Sequence, residues 1–195
     1  MITKKIIKSI LILLLICQFS LFSRDWYLPQ GPSDCGPASV AMAIKFQSGR
    51  INVPVNRVRK YIGNPYPEGA TSFDNLKGAL RFFGAKYRTV DLSSITKIDS
   101  LLKKDSVIIV LIHPFKISMG LNERYYNYAE DNKFSHYIVL KGSIEKNLYD
   151  LEELPNNYYI VHDPIPGGRN RYYRKTELYL SLRTHLGIEV FKGIE

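Results

Sequence analysis

The sequence predicts an α+β domain in which a helical first part faces an antiparallel sheet built from the second part. Three observations carry this expectation. Gly36-Pro37 is a turn that opens a stretch of small and apolar residues at helical spacing. Ser106–Ile112 is a β-branched run, apolar on both faces, as a central strand should be. Two later apolar runs, 135–142 and 158–164, are separated by a polar segment and read as a strand pair. The 195 residues suit one domain with a real core rather than two. A hydrophobic content of 45% without repeats or low-complexity tracts excludes a disordered chain.

Residues 1–23 stand apart. Lys4, Lys5 and Lys8 precede the apolar run Ile10–Cys17, the pattern of a bacterial export signal cut near Ser23. The run is short and is followed by Gln18 and Ser20, which argues against a stable spanning helix, although Leu21 leaves an uncleaved membrane anchor as the alternative. A lipoprotein reading through Cys17 wants a small residue where Ile16 stands. The domain is therefore expected over 24–195, in the periplasm or outside the cell. Losing the signal removes three lysines and no acid from a formal net charge of +9. The remaining basic clusters, Arg57-Val58-Arg59-Lys60 and Arg169–Lys175, are short and read as solvated surface, so nucleic acid is not an expected partner.

The elements follow in order. Arg24–Gln30 is an extended lead-in whose Trp26 and Tyr27 cover part of the core or cleft. A helix over 36–47 turns Val40, Ile44 and one of Met42 or Phe46 inward, and Ser48-Gly49 ends it. Asn52–Ile62, opened with Pro54, is a second helix with Val55, Val58 and Ile62 inward and its basic residues outward. After a loop over 65–71, Ser72 caps a third helix to Phe83, with Phe73, Leu76, Leu80 and Phe83 on one stripe, and Gly84 stops it. A strand over 85–90 and a short helix over 94–103 precede the Ser106–Ile112 strand. Residues 113–135, with Tyr125, Tyr126 and Tyr128, read equally as a loop over a cleft or a surface insertion. Asn156-Asn157 marks a turn, Asp163-Pro164 closes a strand, and Pro166-Gly167-Gly168 is another turn. A helix over 174–184, with Leu178, Leu182 and Leu186 inward, and an edge strand over 187–191 complete the chain.

Cys35 is the residue with most chemistry in its surroundings. It sits on the turn that opens the first helix, whose N-terminal partial charge favours thiolate over thiol. With the signal removed it is a lone cysteine in an exported chain, which excludes a disulfide framework. A cysteine nucleophile needs an imidazole within reach and a third group to orient the ring. Of His113, His136, His162 and His185, His136 fits best: it enters an apolar strand, and Asp163 at the exit of the next strand lies beside it if the two pair antiparallel. No Cys-x-x-Cys or His-Glu-x-x-His spacing calls for a metal, and no cofactor is expected.

The run Gln30-x-x-x-Asp34-Cys35-Gly36-Pro37-Ala38-Ser39-x-Ala41-Met42 resembles the active-site signature of the double-glycine, bacteriocin-processing cysteine peptidases and their stand-alone relatives, which are papain-like. The order cysteine, later His before an apolar strand, later Asp-Pro extends the likeness over most of the chain after residue 24. The resemblance implies a papain-like fold with Cys35 as nucleophile, His136 as general base, Asp163 as its orienting carboxylate and Gln30 as an oxyanion-hole donor. In one respect the chain departs from the family, which spaces its glutamine six residues before the cysteine where this chain has five. The expected activity is peptide-bond hydrolysis by an exported, monomeric thiol peptidase acting on a peptide or protein. An amidase or acyl transferase using the same triad, and a non-catalytic binding domain on the same fold, stay open. A double-glycine cleavage site does not carry over with the resemblance.

Overall fold

The computed structural model describes residues 26–31, 33–49, 52–63, 71–103, 105–114, 117, 135–143 and 157–192. The expected export signal, the 65–70 part of the expected loop, Tyr125, Tyr126 and Tyr128, and Asn156 lie outside the described residues. Five helices and six strands follow one another as α1 (Cys35–Ser48), α2 (Val55–Ile62), α3 (Phe73–Phe82), β1 (Tyr87–Asp91), α4 (Ile95–Leu102), β2 (Ser106–Ile112), β3 (His136–Ser143), β4 (Tyr158–His162), β5 (Arg171–Arg174), α5 (Lys175–Ser181) and β6 (Leu186–Phe191). The strands form one antiparallel sheet in the order β1-β6-β2-β3-β4-β5. The α+β expectation holds.

The sheet is covered on both faces. Val107, Ile109, Tyr137, Val139, Ile188 and Val190 join the core shared with α1, α2 and α3. Ile108, Val110, Ile112, Ile138, Leu140 and Tyr159 join a second core under α4 and α5. Alternate residues of β2 thus enter different cores, which is why 106–112 is apolar throughout rather than alternating. Each of these fully buried aliphatic side chains contributes about 1.5–3 kcal/mol relative to exposure.

The cap expected at Ser72 forms, its Oγ accepting from Asn75 N at 3.1 Å, and Ser94 Oγ accepts in the same way from Lys97 N at 3.2 Å at the start of α4. Helix α1 differs from its expected amphipathic form, since every residue from Gly36 to Ile44 is buried. It is enclosed by α2 and α3 on one side and by β3, β2 and β6 on the other. Its run of small residues permits that enclosure: a Cβ added at Gly36 would meet Leu76 Cδ2 and Thr71 Cβ, both at 3.1 Å.

The C-terminal third departs furthest from expectation. The predicted helix over 174–184 is only Lys175–Ser181, and Arg171–Arg174 before it is a strand, drawn onto β4 by alternate burial of Arg171 and Tyr173. Leu182 turns to extended backbone and bridges Ile112, while Leu186 starts β6 and is exposed rather than inward. Strand β6 is internal, not an edge: Ile188 faces Thr89 on one side and Ile109 on the other. Both partners lie far upstream, so nothing local could reveal them. Glu189, buried in the middle of this strand, is paired with Arg88 at 2.5 Å.

Candidate active site

Cys35 is the first residue of α1 and is partly exposed. Being first, its N–H has no acceptor within the helix. Its thiol is hydrogen-bonded to the His136 side chain and receives the backbone N–H groups of Tyr137 and Gly36. Burial pushes the thiol pKa up, but the hydrogen bond and charge of His136 and the two amides outweigh it and hold it below its ordinary value.

His136 opens β3 and is buried. Its Nε2 lies 2.8 Å from Asp163 Oδ1. A carboxylate only accepts, so Nε2 carries the proton and Nδ1 is left for the thiol. Burial pushes the imidazole pKa down; the charge and hydrogen bond of Asp163, joined by those of Cys35, override it and raise the ring to about 10. The three predicted residues are therefore brought together in one relay, with the ring between thiol and carboxylate.

Asp163 is fully buried at the exit of β4. Donors to its carboxylate include His136 Nε2, the N–H of Ile165 at 3.1 Å to Oδ1, and the Tyr173 hydroxyl at 2.7 Å to Oδ2. Hydrogen bonds of this kind offset the cost of burying a carboxyl group. Tyr173 was not evident in the sequence; the only signal is that the Pro166-Gly167-Gly168 turn sends the chain back along β4 towards Asp163. The turn is closed by Asp163 N to Gly168 O and Gly168 N to Ile165 O, both 2.9 Å.

The lead-in strap 26–31 is laced to this same turn. Tyr27 donates its hydroxyl to Ile165 O and accepts from Gly168 N, and Gln30 N donates to Pro164 O at 2.6 Å. Gln30 is half-buried, and its side-chain Oε1 is buried with no hydrogen-bond partner among the described residues. Trp26 is buried as expected and packs edge-on against Phe46 and His162.

The other histidines lie elsewhere. His162 is buried against Trp26, with Nδ1 accepting from Asn170 N at 3.2 Å. His113 N donates to Ser181 O, and His185 is exposed beside the Tyr179 ring. Among the described residues no group of His, Cys, Asp and Glu could hold a metal ion.

Arg59 is not the solvated residue that its basic cluster suggested. Its side chain is 16% exposed and its Nε donates to Asp34 Oδ1 at 2.6 Å, beside Cys35. Arg171, from the other cluster, is also buried. Partners 25 positions away in the first case leave no local trace.

Among solved structures, the peptidase domain of Streptococcus ComA, a bi-functional ABC transporter, superposes with a TM-score of 0.59 at 20% identity, over 86% of this chain and 98% of that one. A Bacillus anthracis protein described as a C39-like peptidase gives 0.58 at 16% identity, over 87% and 95%. A double-glycine-motif protease from an AMS/PCAT transporter, in complex with the leader peptide, gives 0.51 at 19%, over 85% and 89%. At these identities the likeness is one of fold, and it makes the present arrangement of helices and sheet the papain-like one. No curated protein matches the sequence. The pattern of the Peptidase_C39 like family runs over residues 18–185, which takes in all of Gln30, Cys35, His136 and Asp163, and the chain belongs to that family.

Proposed function

We propose that the protein is a cysteine peptidase in which Cys35 is the nucleophile, His136 the acid and base, and Asp163 the group that orients the ring. The observation that carries this reading is the His136 ring held between the Cys35 thiol and the buried Asp163 carboxylate. Transfer of the thiol proton to Nδ1 gives thiolate and imidazolium. The thiolate attacks the peptide carbonyl, and the oxyanion takes hydrogen bonds from the Cys35 N–H and the Gln30 side chain. The unpartnered end of the Gln30 amide supports that role, because rotation of the amide can turn its NH2 to the oxyanion. Imidazolium then protonates the leaving amine, and neutral His136 activates water to hydrolyse the thioester. A peptide substrate is further supported by the leader peptide bound to the similarly folded transporter protease.

Export belongs to the same reading. It is supported by three lysines ahead of the apolar run at 10–17. Among the described residues, no helix is long and apolar enough to cross a membrane. N-terminal sequencing of native protein should begin near Arg24; an intact Met1 in the membrane fraction would indicate an anchor. For the activity, the purified chain without residues 1–23 is labelled with a thiol-directed activity probe and then offered a peptide library. Labelling at Cys35 with peptide cleavage is expected, both lost in Cys35→Ala. Labelling with amide transfer but no hydrolysis would identify an acyl transferase, and no labelling a binding domain.

A further inference from the structure

The short connection between Gln30 and Cys35, four residues long, is fastened from outside at Ser33 and Asp34 by a single guanidinium. Arg59, in the second turn of α2, donates through Nε to Asp34 Oδ1 at 2.6 Å, through Nη2 to Ser33 O at 2.5 Å and through Nη1 to Gly63 O at 3.1 Å. Asp34 is the N-cap residue of α1, yet its side chain makes no capping hydrogen bond there. The carboxylate is committed to Arg59 instead. Ser33 is held in the left-handed region with φ of 57°, a conformation that a serine keeps only where its surroundings impose it. The other end of the turn is fixed by Gln30 N to Pro164 O. Gly31 lies so close to Asp34 that an added Cβ would stand 3.1 Å from the carboxylate.

We propose that Arg59 is a positioning residue: by clamping Ser33 and Asp34 it sets where Gln30 and the Cys35 N–H stand relative to each other, and so holds the oxyanion donors in place. The proposal rests on the catalytic reading above and deepens it. The clamp accounts for a working site with one residue fewer between glutamine and cysteine, since a shorter turn must be held in a strained shape. A planar fork that reaches a carboxylate and a carbonyl together does this, and an ammonium cannot. The thiolate depends on His136 and two amides, not on this clamp. Loss of Arg59 should therefore damage oxyanion binding more than thiolate reactivity.

Two reagents separate these. In alkylation the Cys35 sulfur displaces iodide from the CH2 carbon of iodoacetamide, and no oxyanion forms. A peptide aldehyde, built on the best sequence from the library, adds the Cys35 sulfur to its carbonyl carbon while the imidazolium proton goes to the carbonyl oxygen, which then sits among the oxyanion donors. Aldehyde capture is read as protection of Cys35 from alkylation. In Arg59→Ala, capture should weaken by about tenfold or more while the alkylation rate stays within about threefold. Arg59→Lys should likewise keep the alkylation rate within about threefold of wild type and leave capture weak. Asp34→Asn, which keeps an oxygen for the guanidinium, should stay within about threefold on both. Wild-type capture in folded Arg59→Ala or Arg59→Lys overturns the proposal. So does a parallel fall of capture and alkylation, the mark of a merely structural role. If wild-type Cys35 alkylates like an ordinary thiol and no aldehyde is captured at millimolar concentration, the catalytic reading itself fails and the proposal with it.

Discussion

His136 Nε2 and Asp163 Oδ1 meet at 2.8 Å although the two residues are not ladder partners. His136 stands opposite Ile112 in β2, and the last β4 residue, His162, stands opposite Val139. Asp163 therefore reaches diagonally past the strand end, and the turn closed by its own N–H on Gly168 O aims it there. The carboxylate is set by backbone geometry before any charge acts, and the imidazole inherits its direction.

The first prediction is the pH profile of Cys35. Its pKa is lowered and that of His136 raised to about 10, so a thiolate–imidazolium pair is the expected state between the two. Iodoacetamide alkylation should rise with an inflection below about 8.5, the value of a free thiol. In His136→Ala the burial effect remains with only the two backbone amides against it, and the inflection should move up to about 8.5 or above. The stability signs are opposite for the two groups. His136, raised in the fold, stabilises fully below about pH 6.5, and that contribution disappears as pH climbs through about 10. Cys35, lowered in the fold, stabilises above about pH 8.5, and its contribution fades as pH drops through the folded value. Thermal melts of wild type and Cys35→Ala between those limits would check both.

Asp163 supplies the second. Asp163→Asn places an amide where a carboxylate accepted from Nε2, and either its NH2 opposes the ring or the ring changes tautomer. Turnover should fall by about 10²–10⁴ with alkylation of Cys35 also slowed. Tyr173→Phe is milder. It strips one donor from the buried carboxylate, costing about 1–3 kcal/mol in denaturant unfolding, and kcat should drop severalfold at unchanged KM. A Tyr173→Phe protein with wild-type kcat would make the phenol a purely structural partner.

What could be read from the sequence alone follows from how local each signal is. Cys35 announces itself because the turn and the helix it opens are contiguous with it. Ser72 and Ser94 mark helix starts through bonds that span three residues. Strand β2 is legible because burial on both faces leaves it no polar position. Strand β6 is legible as a strand but not in its internal place, which partners far upstream confer, and the edge strand β5 is hidden because its pairing with β4 leaves no mark in its own four residues. Arg59 reads as surface for the same reason: a run of basic residues on a helix looks solvated until Asp34 is folded against it. The fully enclosed α1 hides its second face because alanines and glycine look neutral in an amphipathic pattern.

Gln30 is the third test. Its side chain serves an oxyanion only if the shortened turn still presents the amide. Gln30→Ala should lower kcat by about 10²-fold while iodoacetamide reactivity is unchanged, because alkylation makes no oxyanion. Equal turnover of Gln30→Ala and wild type on the same peptide would leave the Cys35 N–H to be joined by some other donor.

The last prediction separates stability from site geometry at Gly168. A Cβ added there would stand 2.0 Å from Asp163 O and 2.8 Å from Asp163 Cβ. Neither atom can retreat cheaply. The Asp163 backbone is bonded back to Gly168 O, and Gly168 N is shared between Ile165 O and the Tyr27 hydroxyl. Relief must come from opening the turn, which swings the carboxylate away from His136. Gly168→Ala should lose about 2 kcal/mol or more of stability, as overpacked positions do. Leu80→Ala, at a fully buried side chain in the last turn of α3, should lose a comparable 2–5 kcal/mol or so by leaving a cavity, without touching the turn that carries Asp163. Assayed at a temperature where both variants are folded by circular dichroism, Leu80→Ala should turn over peptide at close to the wild-type rate. Gly168→Ala should be slowed by at least about 10²-fold, with its alkylation inflection shifted up towards that of His136→Ala, because the imidazolium has lost the carboxylate that sustains it. Equal residual activity in the two variants would show that the turn serves the fold and leaves the direction of Asp163 to other contacts.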